Sequence, residues 1–110
     1  MIATPKIASG SSQSDAVKLD FETPLTVFMP AAWDAAALTF LASLDGVTYG
    51  PLKYEGAEIN YPAAAGDVVT LDPLKFARLP FIKLRSGTAA TPVNQTADRT
   101  LTLMSSPGAI

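Results

Sequence analysis

The stretch Ala37-Leu38-Thr39-Phe40-Leu41-Ala42-Ser43-Leu44-Asp45-Gly46-Val47-Thr48-Tyr49 decides the fold class. Leu38, Phe40, Ala42 and Leu44 point one way and Thr39 and Ser43 the other, the period of two that marks a strand with one buried face. Asp45-Gly46 follows as a turn signal before Val47-Thr48-Tyr49.

The same alternation extends in both directions. Upstream, Val17, Leu19 and Phe21 alternate with Lys18, Asp20 and Glu22, and Leu25, Val27 and Met29 repeat the pattern between Pro24 and Pro30. Downstream, Leu52 to Tyr54 and Glu58 to Tyr61 read as short strands, and Asp67 to Leu71 supplies Val69 and Leu71 to a core. Phe81 to Arg85 turns Ile82 and Leu84 inward and Lys83 and Arg85 outward. The last strand, Asp98 to Met104, alternates Leu101 and Leu103 with Thr100 and Thr102. Nine Pro and seven Gly punctuate these runs, which is the spacing of many short strands. Asp72-Pro73-Leu74-Lys75-Phe76 reads as a capped single turn, with Asp72 as N-cap and Pro73 at the first helical position. Ala31 to Ala37 is too short and too close to Pro30 for a stable helix. Met1 to Ala8 is an edge strand or an extended arm, because Pro5 removes a donor. Ser9 to Ser14 is a polar hinge, and residues 105–110 are a tail.

Roughly seven to nine strands in a chain of 110 residues fit an all-β, two-sheet antiparallel β-sandwich, jelly-roll-like, as one domain over 1–110. Its expected core is Leu38, Phe40, Leu44, Ile82, Leu84, Leu101 and Leu103.

Ten acidic against eight basic residues give a formal net charge of −2, which argues against a nucleic-acid partner, since such a binder needs clustered Lys and Arg. There is no Cys and no His. No disulfide framework, thiolate metal site or thiol nucleophile is therefore available, and the commonest general base is missing. No signal peptide and no membrane span are read, because the most apolar run, Ala35 to Ala42, is far shorter than the ~20 residues a bilayer crossing needs.

The remaining candidates are carboxylates, aromatics and loops. Asp45, Glu55, Glu58, Asp67, Asp72 and Asp98 would have to face each other across a groove to act as a glycosidase pair, and each lies at a turn or strand end where acids serve as caps. A calcium site around Asp45 or Asp67 lacks an Asp-x-Asp-x-Asp-Gly loop. Trp33 reads either as a stacking platform for sugars, with Tyr49 and Asp45 nearby, or as a plug at the end of the core. Lys83 and Arg85, with Lys75 and Arg78 just before them, read either as a basic patch for an acidic partner or as a solvated strand face. The loop from Ser86 to Ala97 is long, neutral and rich in small side chains, suited to lying against another protein.

Two stretches together, Leu38 to Tyr49 and Phe81-Ile82-Lys83-Leu84-Arg85-Ser86-Gly87-Thr88, resemble the strand–Asp-Gly–aromatic and strand–Lys-x-Arg pattern of discoidin-like jelly-roll sandwiches. Discoidin-like proteins bind sugars or lipid head groups through loops at one end, often beside calcium; this chain departs from them in having no paired cysteines and no acidic ligand cluster. The wider string, from Ile7-Ala8-Ser9-Gly10 through Met29-Pro30-Ala31-Ala32-Trp33 to Arg85-Ser86-Gly87-Thr88 and Pro92-Val93-Asn94-Gln95-Thr96-Ala97-Asp98-Arg99, is similar to small virion proteins of tailed bacteriophages and related prophage elements. That group includes capsid decoration (cement) proteins, head fibre or spike bases, and head-to-tail or tail accessory proteins. The resemblance implies a structural protein made in the bacterial host cytoplasm and incorporated in the virion, with no cofactor and no metal. Its implied partners are the major capsid protein or other virion proteins and further copies of itself. The neutral loop and the N-terminal segment suit contacts with such partners, so the expected contact residues are Ile2, Pro5 and Ile7 in the arm and Thr88, Thr91, Pro92, Val93, Asn94 and Gln95 in the loop.

Overall fold

The structure, a computed structural model, describes residues 1–76 and 78–107. In chain order the strands are β1 (Ile2–Ala3), β2 (Lys6–Ile7), β3 (Val17–Lys18), β4 (Thr23–Phe28), β5 (Leu38–Ser43), β6 (Gly50–Pro51) and β7 (Lys53–Tyr54). They continue as β8 (Ala57–Glu58), β9 (Asn60–Tyr61), β10 (Val68–Thr70), β11 (Phe81–Ser86), β12 (Arg99–Thr100) and β13 (Thr102–Ser106). A 3-10 turn, Pro73–Lys75, precedes β11; the Asp72 side chain accepts the Leu74 N–H as its cap, as the sequence predicts.

The protein is an all-β sandwich. One sheet runs β1-β13-β4-β10; the other runs β3-β11-β5-β6, with β9 also paired to β5. Every named strand pair is antiparallel. The chain passes repeatedly between the sheets, β3 to β4 to β5 and β9 to β10 to β11, a jelly-roll-like course in which most pairings are distant in sequence.

Each sheet turns one apolar side toward the other. Ala3, Leu103, Val27 and Val69 form one row across the four-stranded sheet. Val17, Ile82, Leu84, Phe40 and Leu38 face them from the other sheet, within one buried cluster. Each such Leu or Phe, fully buried, contributes about 1.5–3 kcal/mol. Phe40 meets Phe76 edge-on at 5.0 Å and Tyr61 at 6.2 Å. Tyr61 keeps its hydroxyl at the surface, where it accepts the Asp72 N–H at 2.8 Å.

Several expectations are corrected. Of the two readings of Met1 to Ala8, the edge strand is found and the extended arm is not: β1 is the edge of the four-stranded sheet, β2 pairs with β12, and Ile7 is completely buried. Pro5 is buried too, and its carbonyl accepts the Leu101 N–H, which breaks the expected last strand into β12 and β13. Leu44 lies beyond the end of β5 and is exposed rather than core. Phe21 is turned outward because Asp20 and Phe21 both have positive φ, 53° and 68°, which ends the alternation that begins at Val17. Gly50-Pro51, a dipeptide that reads as a backbone break, instead pairs with Leu41 and Ala42 as β6. Arg85, expected to face water, is buried. Of the tail, Ser105 and Ser106 belong to β13 and residues 108–110 lie outside the described residues.

Gly87 is the tightest backbone position. It has φ +87°, and an added Cβ would lie 2.5 Å from the Thr91 carbonyl oxygen and 2.6 Å from the Val93 nitrogen. Gly87→Ala is expected to lower the unfolding free energy by at least ~2 kcal/mol, whereas Gly50→Ala, with open space at its Cβ, stays within ~0.5 kcal/mol. Urea unfolding of both variants checks this; equal midpoints would show that the 87–93 turn relaxes freely.

Candidate interaction surface

The inner row of the four-stranded sheet fixes what its outer side presents, since neighbouring residues point to opposite faces. Ile2 lies opposite Met104, Met104 opposite Thr26, and Thr26 opposite Thr70, one row across all four strands. Thr102, Phe28 and Val68 form a second row. None of these residues carries a charge. Ile2 is 67% and Val68 59% exposed, and Phe28 and Met104 are exposed as well. A sheet side that faces only water normally alternates into Lys, Glu and other charged residues.

The other sheet is covered on its outer side. Thr39, Leu41, Ser43 and Arg85 point away from the core cluster, yet all four are buried. Arg85 Nε donates to Thr39 Oγ1 at 3.0 Å, its terminal nitrogen pairs with Glu58, and Thr39 Oγ1 donates to the Gly87 carbonyl at 2.5 Å. Glu58 also accepts the Ala89 N–H at 3.0 Å. These bonds draw β8 and the turn after β11 over the sheet. The basic patch read from the sequence is therefore not assembled: Arg85 is spent on Glu58, and the Lys83 ammonium lies 4.5 Å over the Tyr49 ring.

The residues named from the sequence are distributed as follows. Ile2 belongs to the uncharged face, while Pro5 and Ile7 are buried and offer no contact. Thr88 to Thr91 is a closed turn, with Thr88 N–H to the Thr91 carbonyl at 3.1 Å and Thr91 N–H to Thr88 Oγ1 at 3.0 Å. Thr91, Pro92 and Asn94 are exposed, and Val93 is half-buried under the Ser86 hydroxyl bond to its carbonyl. Gln95 is completely buried, so it is removed as a contact residue: its Oε1 accepts the Asp34 N–H at 2.8 Å and Arg99 Nε at 3.1 Å. Ile2 and this loop lie on different sheets.

Trp33 does not meet Tyr49 and Asp45. It precedes β5 and they follow it, so a strand of roughly 17–20 Å separates the groups. Trp33 is half-buried against the core, and its Nε1 donates to the Ala36 carbonyl at 3.2 Å. Tyr49 buries its hydroxyl without a hydrogen-bond partner among the described residues, and burial, then the Asp45 charge, raises its pKa. Asp45 Oδ1 accepts Val47 N–H at 2.9 Å, Thr48 N–H at 3.0 Å and Ser43 Oγ at 3.0 Å. The Thr48 and Val47 amides hold its pKa below the ordinary carboxylate value.

The other carboxylates are likewise used locally. Asp67 accepts the Ala64 N–H, Asp72 caps its turn, and Asp98 accepts the Ser9 N–H with Lys6 3.7 Å away. Among the described residues no three acidic side chains come together as a metal-binding group. At its surface the structure assembles the uncharged outer side of the four-stranded sheet. Sequence reasoning passed over Phe28, Val68 and Met104, although a signal existed: between Leu25, Val27 and Met29 the outward positions are Thr26 and Phe28, with no charge. No family model, no curated protein and no solved structure matches the chain.

Asp34 organises the end of the sandwich near Gln95. Its carboxylate accepts the Thr96 hydroxyl at 3.1 Å, the Thr96 N–H at 2.9 Å and Arg99 at 2.9 Å, and these bonds, the Thr96 hydroxyl first, lower its pKa against the opposing effect of desolvation. A carboxylate with a depressed folded pKa stabilises above its unfolded value, about 3.9, and loses that contribution as pH falls through the folded value. Stability is expected to be flat above pH ~5 and to fall below pH ~4, with a shallower fall in Asp34→Asn. Unfolding midpoints from about pH 6 down to about pH 2 check it; parallel curves would remove Asp34 from the acid response.

Proposed function

We propose that this chain is a structural virion protein, a capsid decoration protein of a tailed-phage particle that seats on the assembled head. The observation that carries the docking mode is the uncharged outer face of the four-stranded sheet, Ile2, Thr26, Phe28, Val68, Thr70, Thr102 and Met104. The resemblance of residues 7–10, 29–33, 85–88 and 92–99 to phage virion proteins supports the class, and the closed 88–91 turn leaves the sheet face rather than the loop as the principal contact.

Such a face suits a shell. Covering Ile2, Phe28, Val68 and Met104 contributes at most about 1.5–3 kcal/mol each, against an association cost of about 4–15 kcal/mol. One copy thus binds modestly, and stabilisation accumulates over many repeated sites. The protein reinforces a lattice only because it binds the assembled surface better than free subunits.

Phe28→Asp and Val68→Lys place a charge on this face at positions that are already exposed, so the fold is retained. Each is expected to weaken co-sedimentation with shells of the particle's major capsid protein by about tenfold or more, ~1.4 kcal/mol, with an unchanged unfolding midpoint. Undiminished binding would overturn the face, and wild-type protein that ignores shells but binds isolated tails would move the assignment from head to tail.

A further inference from the structure

β1 and β2 lie in one register, Ala3 opposite Leu103 and Ile7 opposite Arg99. The Ser105 N–H donates to the Met1 carbonyl at 2.9 Å and the Leu101 N–H to the Pro5 carbonyl at 3.0 Å. Along an antiparallel strand the main-chain groups of alternate residues point to opposite edges, so those of Ile2, Thr4 and Lys6 face away from β13 and β12. Lys6 is met there by the segment that leads into β3. Its carbonyl accepts the Asp15 N–H at 3.0 Å, and its N–H donates to the Asp15 carboxylate at 3.3 Å. The N–H and C=O of Ile2 and Thr4 have no partner among the described residues.

Away from Lys6 and Asp15 the two segments part, β1 belonging to the four-stranded sheet and β3 to the other. Between them lies an opening of about 270 Å³, walled by Ala3, Thr4 and Pro5 on one side and Ala16, Val17 and Lys18 on the other. The second wall is also a strand edge. The Leu19 N–H donates to the Pro80 carbonyl at 2.8 Å, so one residue earlier the main-chain groups of Lys18 point away from β11. The floor is apolar, since Pro5 and Val17 are buried and Ala3 packs against the core. Facing sheets lie about 10 Å apart and paired strands ~4.8 Å, so there is room for one strand between β1 and β3 and not for two.

These features select the occupant. The unpaired groups of Ile2 and Thr4 repeat every second residue, about 6.8 Å apart, a spacing that another extended main chain reproduces. A strand lying between β1 and β3 must bring both of its own edges free. Every strand of this chain, β1 to β13, is already paired along at least one edge, so a folded second copy cannot supply it.

We propose that this opening receives an extended segment of another protein, which adds as a strand antiparallel to β1, and hence parallel to β3, with an apolar side chain turned inward over Ala3 and Val17. Main-chain hydrogen bonds supply the affinity of such strand addition and the pocket beneath alternate side chains supplies its preference. The inference does not rest on the shell reading, because it uses the main chain of Ile2 and Thr4 and not the side chains of the sheet face.

The end-capped peptide Val-Thr-Val-Thr-Val tests it, titrated into the full chain to about 10 mM, past the millimolar Kd of weak complexes. Saturable amide NMR shifts are expected at Ile2, Thr4 and Lys18, with slowed hydrogen exchange at Ile2 and Thr4. The same peptide N-methylated at both Thr, the positions that face Ile2 and Thr4, is expected to bind about tenfold more weakly or worse. Thr4→Pro removes one outward N–H and leaves the ladder to β13 in place, so it is expected to keep the wild-type unfolding midpoint and lose affinity to a similar degree. Should that variant fail to fold, the N-methylated peptide decides alone. Phe28→Asp, on the sheet face, is expected to bind the peptide as wild type does. Absence of saturable shifts at these amides, binding undiminished by N-methylation, or Ile2 and Thr4 amides already protected in a two-copy species without peptide would overturn the proposal. Loss of shell binding with peptide binding intact would instead count against the sheet face alone.

Discussion

A guanidinium taken out of water needs acceptors and a counter-charge, and Arg85 imposes that requirement at the centre of the five-stranded sheet. Thr39 across the ladder and Glu58 from β8 meet it, and Glu58 in turn holds the Ala89 amide. The pair is not a large source of stability in itself, since desolvation offsets most of its attraction; removing one partner is what costs about 3–5 kcal/mol. Its effect is positional. It fastens β8 and the 87–92 turn to one side of the molecule, so that the outer side of this sheet is roofed by its own chain. Among the described residues the four-stranded sheet receives no such cover and keeps an open, uncharged face.

The two ends of the sandwich differ in the same way. At one end Asp34, Gln95, Thr96 and Arg99 bond to one another so completely that the long 88–98 connection is drawn into the body of the protein. At the other end the hydrogen bonds are equally regular, but they serve to display Leu44, Val47 and Phe21 instead of covering them. Regular bonding therefore does not separate the two ends by function. The chemistry of what is left facing outward does.

The sheets were legible in the sequence because burial follows the period of two: Leu38, Phe40, Ile82, Leu84, Leu101 and Leu103 are all fully buried. Alternation names the two sides of a strand without saying whether the second side is wet. Lys83 and Arg85 share the outward side of β11, yet only the fold brings Glu58 and Thr39 to Arg85. Leu44 continues the alternation in sequence but lies past the last pairing of β5 with β11, where the backbone turns away. Ile7 and Gln95 were misread as contacts for a related reason. Their burial comes from partners roughly 90 and 60 residues away in sequence, Arg99 and Asp34, and no local pattern carries such pairings. The sheet face was readable in part, since Thr26 and Phe28 break the expected polar alternation, but its completion by Ile2, Met104 and Val68 depends on strand order.

Two apolar surfaces on separate elements place conditions on any assembly this chain enters. Both are small, so each contact is weak alone, and linked contacts strengthen one another only where geometry lets them engage together. A molecule with two unlike sticky surfaces also risks open-ended polymers, because a contact between unlike patches closes only if its rotation happens to close. The sheet face and the Leu44–Val47 end share no residue, so a charge placed on one leaves the other as it is.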